Sequence, residues 1–421
     1  MFASLRQYQP SIRVLLSGVL LSHLGMYLTV PILPIFLTLT KGMSIADTGL
    51  ILAMSPLTFQ LGSMLGGVLS DRIGRKGVIA AGAFINALAL VGYAWFSGRS
   101  SLIGVGLASG LGIGLNAPAT KAAIALIASE GNSQTSAFAL RGIAANAGTA
   151  AAGVIAYFVF GGANSNVFYA AAFTFAVLGA GSWLLLPEGC GVKPCQEIPL
   201  RSYKAVLQNK PFLFFSLLSV IIWAIYTQFA LAMPLRAESL LTDSGLVSLI
   251  WTVNSIAVIV FQSFISRWFL ERTNTMFALS AGVFLIGAGL VSVFWANSFT
   301  GLILGGLLFI VGEMVIVPTM DSTVSRLGAA SMTGMYFGMA NVVSGIGEAS
   351  GKYLGGIILG QQNRFLEPWM IYVTAASVIG VTLLAFVRRG PLRTMEYEQR
   401  HQQQEGYSNI MDFILGRKKE R

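Results

Sequence analysis

Twelve apolar runs, each long enough to cross about 30 Å of hydrocarbon as a helix, constrain this chain more than any other feature. They fall at 12–39, 45–69, 77–97, 101–127, 135–160, 166–186, 211–236, 245–268, 276–296, 300–325, 332–360 and 368–388. A backbone inside lipid must satisfy its own polar groups, which leaves helices or a closed barrel, and runs of this length exclude barrel strands. Only 10% of the residues are charged and 55% are hydrophobic, whereas soluble domains run at about a quarter charged. The expected fold class is an all-α polytopic membrane protein with twelve transmembrane helices. The longest polar interruption divides them six and six. The expected organisation is an N-terminal six-helix bundle at 1–186, a cytoplasmic linker at 187–210, a C-terminal six-helix bundle at 211–389 and a cytoplasmic polar tail at 390–421. The run beginning near Ile12 is longer than a cleavable signal core and is read as a mature helix.

The net charge of +10 sits mostly in short loops, where basic residues set topology. An even helix count puts both termini on one side. That side collects Arg6, Arg13, Arg72, Arg75 and Lys76, then Lys193, Arg201, Lys204 and Lys210, and later Arg267, Arg272 and Arg326. The opposite side holds Lys41, Arg99, Arg236 and Arg364. Both termini are therefore expected in the cytoplasm of a bacterial inner membrane. The basic residues are expected to meet lipid headgroups of the bilayer, not nucleic acid. Cys190 and Cys195 have no metal-ligand company and read as incidental loop thiols.

Spanning folds are often built from repeated bundles, and an offset of 200 residues aligns several special positions at once. Pro34 meets Pro234, Asp71-Arg72 meets Glu271-Arg272, Gly112 meets Gly312 and Pro118 meets Pro318. Lys121 meets Asp321, an exchange of sign at one position, and His23 meets Trp223. The halves are expected to be pseudo-symmetric.

Between the second and third runs lies Gly67-Val68-Leu69-Ser70-Asp71-Arg72-Ile73-Gly74-Arg75-Lys76. Hydrocarbon cannot hold that charge set, so the turn belongs in water or among headgroups. The stretch resembles the loop 2–3 signature of the major facilitator superfamily, G-x-L-a-D-R-x-G-R-[RK], at every defined position. Gly25…Pro31-Ile32-Leu33-Pro34 is similar to the first-helix pattern of its drug/proton antiporter branch. Gly312-Glu313…Pro318, Gly338 and Gly345-Ile346-Gly347-Glu348 also look like efflux proteins of that branch. Two positions depart from it. The fifth helix carries Gly148-Thr149-Ala150-Ala151-Ala152-Gly153 without the branch's proline, and Ala108 stands where its fourth helix has arginine. The resemblance implies two six-helix bundles, alternating access by rocking, and a conformational latch at Gly67, Asp71, Arg72, Gly74, Arg75 and Lys76. Glu271 and Arg272 form the counterpart turn, without the glycines.

An ionisable group inside a spanning helix is expensive and is a functional candidate by default. Glu313 falls near mid-bilayer with no charged residue four positions away on either side. It is the leading candidate proton site, against a hydrogen-bonded packing clamp. His23 falls near the midplane with Tyr27 one turn on. Its imidazole suits proton exchange, against a neutral ring bonded to a backbone carbonyl. Arg141 lies six to eight residues into its helix and needs an acidic partner or an anionic substrate group. Asn116, Asn146, Asn254 and Asn341 are further candidates for a substrate cavity, with Trp223, Tyr226, Gln228 and Trp251. Glu348 and Lys352 share a helix face and read first as an ion pair, second as an outer gate. Lys121 and Asp321 are candidates for a charge pair that gates the bundle.

Glycine clusters such as Gly110-x-Gly112-x-Gly114 lack the strand-and-turn context of a nucleotide loop and suit close helix crossings instead. No Walker motif, metal-ligand cluster or nucleophile triad is present, so neither an enzyme nor an ATP-driven pump is expected, and no cofactor beyond a proton gradient. The expected function is export of a small, partly apolar molecule by proton antiport, from a monomer. Export of an anionic metabolite or siderophore-like chelator, proton symport or uniport for uptake, and a non-transporting receptor remain open.

Overall fold

The computed structural model describes residues 10–129, 134–187, 206–327, 333–360 and 368–389. Among these residues, twelve helical units follow one another. In the first half they are α1 (Pro10–Thr29, continued by Leu33–Ile35 and a π-helical turn Phe36–Thr40), α2 (Ile45–Ile73), α3 (Arg75–Trp95), α4 (Arg99–Ser129), α5 (Gln134–Phe158) and α6 (Ser165–Leu185). The second half holds α7 (Lys210–Tyr226, continued by Gln228–Leu240), α8 (Val247–Trp268), α9 (Thr275–Trp295), α10 (Phe299–Leu327), α11 (Thr333–Gly360) and α12 (Pro368–Arg389). Among the described residues, nine of the helices are long and apolar enough to cross a membrane. Outside that set, α12 contributes a shorter apolar stretch, Met370–Ala385. The other two are polar for spanning helices: α5 carries Arg141 and Asn146, and α11 carries Glu348 and Lys352.

Local chemistry sets the ends. Ser44 caps α2 by accepting from the Asp47 amide at 3.0 Å, which satisfies one of the helix's orphan donors. The Asp47 carboxylate then pairs with Arg99 at 2.8 Å, joining the starts of α2 and α4. Gly74 separates α2 from α3 with φ +92°, a backbone state that a side chain would strain. Beyond that joint, Arg75 donates to the Ala122 carbonyl of α4 at 2.9 Å. The Lys76 ammonium sits 5.4 Å from the centre of the Trp183 ring on α6.

The helices pack as one pattern used twice. In the first half α2 packs on α4, α4 on α3, α3 on α6, and α1 on both α5 and α6. The second half repeats every contact six helices on: α8 on α10, α10 on α9, α9 on α12, and α7 on α11 and α12. The repeat reaches atomic detail. A Cβ added to Gly112 would stand 2.7 Å from the Gly82 carbonyl oxygen; one added to Gly312 would stand 2.8 Å from that of Gly282. Both distances are too short for a side chain, so each α3–α4 or α9–α10 crossing brings backbone onto backbone.

Among the described residues, two large crossings join the halves, α2 with α11 and α5 with α8, and the continuations of α1 and α7 make a smaller contact. They are tightest at the end of the molecule away from the α2–α3 turn. There a Cβ on Gly49 would stand 2.7 Å from the Gly356 Cα, and Thr252 Oγ1 donates to the Ala150 carbonyl at 2.9 Å. At the other end, among the described residues, α4 and α5 form no packed interface with α10 or α11. The halves therefore meet at the far end and diverge towards the basic turn. A cavity between them opens that way.

Candidate functional site

The cavity holds about 620 Å³ and is lined from α1, α2, α3, α4 and α5 of one half and α7, α8, α10 and α11 of the other. That size suits a drug-sized ligand. Its second-half wall is aromatic: Trp223 meets Tyr226 edge-on at 5.1 Å, and Phe229 stacks on Phe309 at 4.2 Å. Trp251 closes the row, 5.4 Å from Phe229. These rings supply broad apolar contact without fixing one shape.

Glu313 stands at this wall. It follows Phe309 and Ile310 by four and three positions on α10, and all three line the cavity. The Tyr226 hydroxyl is its hydrogen-bonding neighbour, and Tyr27 of α1 and Glu348 of α11 complete the titratable set. Lys352, one turn beyond Glu348, also lines the cavity. No ion pair within 4.0 Å joins Glu348 to Lys352, although they share a face. Both face the space beneath the Gly49–Gly356 crossing.

His23 occupies the opposite wall. Its Nδ1 bonds the Val19 carbonyl of its own helix at 2.9 Å, and its ring stacks with Tyr27 at 6.3 Å. With Nδ1 the donor in that bond, Nε2 remains an acceptor on a cavity-lining residue. Its charged neighbours are Arg141 and Lys121, not Glu313. Lys121 in turn has Arg141 and Asp321 as neighbours. Glu313 and His23, grouped together in sequence, thus stand in different surroundings: Glu313 beside Tyr226, Tyr27 and Glu348, and His23 beside Arg141 and Lys121.

Asn146, Asn254 and Asn341 line the cavity, and the buried Asn254 Oδ1 finds no donor. Asn116, Gln228 and Arg141 lie outside the lining. The Asn116 side chain donates to the Ile79 carbonyl at 2.9 Å, tying α4 to α3. Gln228 donates to the Ala224 and Gly351 carbonyls and accepts from the Tyr372 hydroxyl at 2.9 Å, closing the break in α7. Among the latch residues, the side chains of Asp71, Arg72 and Glu271 lie outside the described residues, and Gly67 has open space around it. The guanidinium of Arg272 packs on Trp268, 4.4 Å from its ring centre. The structure adds lining residues that sequence reasoning missed. Gln60 is the lone amide in the run 45–69, and Asn86 accepts from Ser109 at 2.8 Å. A polar residue in the middle third of an otherwise apolar run was the available signal for each.

Among the described residues, twelve helices in two matched sets of six enclose a polar and aromatic cavity, the architecture of a multi-pass membrane protein, and the family and relatives that the chain matches are transporters, not enzymes. The model of the Major Facilitator Superfamily matches residues 15–352. The MFS-type transporter YqjV of Bacillus subtilis (strain 168) is 25% identical over 395 residues, 91% of this chain and 95% of that protein. The multidrug resistance protein MdtH of Aeromonas salmonicida (strain A449) is 23% identical over 370 residues, covering 87% of this chain and 92% of its own. Among solved structures, a mutant form of the nucleoside transporter NupG superposes with a TM-score of 0.76 at 15% identity, over 88% of this chain and 99% of that one. A POT family transporter in complex with 5-aminolevulinic acid gives 0.72 at 15%, over 90% and 96%. The chain belongs to the Major Facilitator Superfamily.

Proposed function

We propose that this protein exports a small, partly apolar molecule from the cytoplasm in exchange for protons, by rocking its two six-helix halves about the central cavity. The observation that carries the reading is Glu313. It is a carboxyl on the wall of the substrate cavity, beside Tyr226 and within the aromatic row that would hold a ligand. A group placed there takes up a proton from one side and gives it to the other only if the cavity changes the side it faces. Substrate against the same wall competes with the proton, which is the requirement for exchange. The distribution of basic loop residues supports an open mouth on the cytoplasmic side. The relatives named as multidrug resistance proteins support efflux.

In proteoliposomes carrying pyranine inside, an exchanged substrate added outside drives protons out and makes the lumen alkaline. A symported one makes it acidic, and that outcome would overturn export by antiport. Glu313→Gln is expected to abolish the proton signal while leaving substrate-for-substrate exchange. If the Gln variant still moves protons with substrate, Glu313 is not the coupling site.

A further inference from the structure

The charges in and near the cavity are segregated by half: His23, Glu313, Glu348 and Lys352 line it, and Lys121, Arg141 and Asp321 lie outside the lining on helices that contribute to it. Among the described residues, the first half presents the bases His23, Lys121 and Arg141. The second presents the acids Glu313, Asp321 and Glu348, with Lys352 as the single base beside Glu348. His23 lines the cavity, and Arg141 and Lys121 lie outside the lining, one to two turns beyond lining residues of their own helices. Arg141 precedes the lining residues Ala145 and Thr149 by four and eight positions on α5. Lys121 follows the lining residue Ile113 by eight positions on α4. His23 sits against α5 at Gly148, where an added Cβ would lie 3.2 Å from its own.

This wall is under-neutralised. None of its three bases makes an ion pair within 4.0 Å among the described residues, and the Arg141 Nε is buried without an acceptor. Asp321 faces the group from across the mouth through Lys121 alone. Arginine stays cationic there, so a cationic solute entering from the mouth meets repulsion from Arg141, whereas a carboxylate finds a planar donor fork. Past the bases, the same solute reaches the rings of Trp223, Tyr226 and Phe309.

We propose that the substrate is an organic anion, a single carboxylate on a ring-bearing apolar body, with the carboxylate held by Arg141 and His23 and the body against the aromatic wall. The proposal rests on reading the cavity as the substrate site and deepens it. The purified full-length protein is titrated with biphenyl-4-carboxylate, biphenyl-4-carboxamide and biphenyl-4-ylmethylammonium, and binding is followed by quenching of tryptophan fluorescence. A charge-assisted contact is expected to make the carboxylate bind roughly tenfold or more tighter than the amide. Arg141→Gln is expected to erase that ratio without changing amide binding; the retained amide affinity reports an intact cavity. Arg141→Lys is expected to keep part of the preference. Ammonium binding as tight as carboxylate binding would overturn the proposal, as would a carboxylate preference that survives Arg141→Gln. Failure here leaves the proton signal and its loss in Glu313→Gln untouched, whereas failure of antiport alters that signal and leaves the ligand ratio in place.

Discussion

Gln228 shows how a single polar side chain near mid-membrane can be structural. Helix α7 breaks after Tyr226, and the amide of Gln228 bridges to Gly351 on α11 and to Tyr372 on α12. Gln228→Leu removes both links and leaves a buried hydroxyl and a carbonyl short of partners, at a cost of about 1–3 kcal/mol. A correspondingly lower midpoint of thermal unfolding in detergent, with near-normal ligand affinity, is expected. A large affinity loss at unchanged stability would return Gln228 to the cavity. Sequence could not tell it from Asn146 or Asn254, because distance along an apolar run yields depth in the membrane but not direction around the helix. Among the charged candidates, Arg141, Lys121 and Asp321 lie outside the lining as well. Glu313, Glu348 and Lys352 all line the cavity, as the expense of an ionisable group in lipid requires.

At the level of elements, the far-end closure rests on helix crossings too close for side chains. Gly49 is the sharpest case, since an added Cβ meets the Lys352 carbonyl oxygen at 2.6 Å, an atom of backbone that cannot swing aside. Gly49→Leu is expected to penalise the closed far end by about 1–3 kcal/mol and to shift the population towards opening there. With Cys190 and Cys195 replaced, a single reporter Ser344→Cys in the cavity should then react several-fold faster with an impermeant maleimide added from the far side. An unchanged rate would show that this crossing does not set the equilibrium. The number of helices and the offset of 200 residues were legible in sequence because lipid imposes run length and duplication preserves prolines and glycines. The identity of the joining pairs was not. Helices apolar on every face carry no mark of which neighbour they meet, and the two that join the halves from outside the nine most apolar, α5 and α11, are set apart only by their polar residues.

For the whole molecule, rocking requires that the far-end contacts break in each cycle. Ala46 and Gly360 face each other there, with the position of a Gly360 Cβ 3.8 Å from that of Ala46, which is the usual span of a disulfide. In the cysteine-replaced background, Ala46→Cys with Gly360→Cys is expected to cross-link on oxidation, to stop transport, and to recover on reduction. Ligand binding from the open mouth should persist while the bond is closed. Transport that continues with the bond intact would exclude rocking about this end. The segregation of charge between the halves also bears on how such a chain could arise. In a symmetric dimer of two identical halves, each group facing the axis meets its own copy, so a lysine at the level of Lys121 would oppose a lysine. A proton site would likewise come in facing pairs. Joining the halves in one chain lets the copies diverge, until Lys121 faces Asp321 and Ile113 stands where the other half has Glu313. A passage with a carboxyl on one wall only, and bases of one half opposite acids of the other, is therefore available to the fused duplicate and closed to its symmetric ancestor.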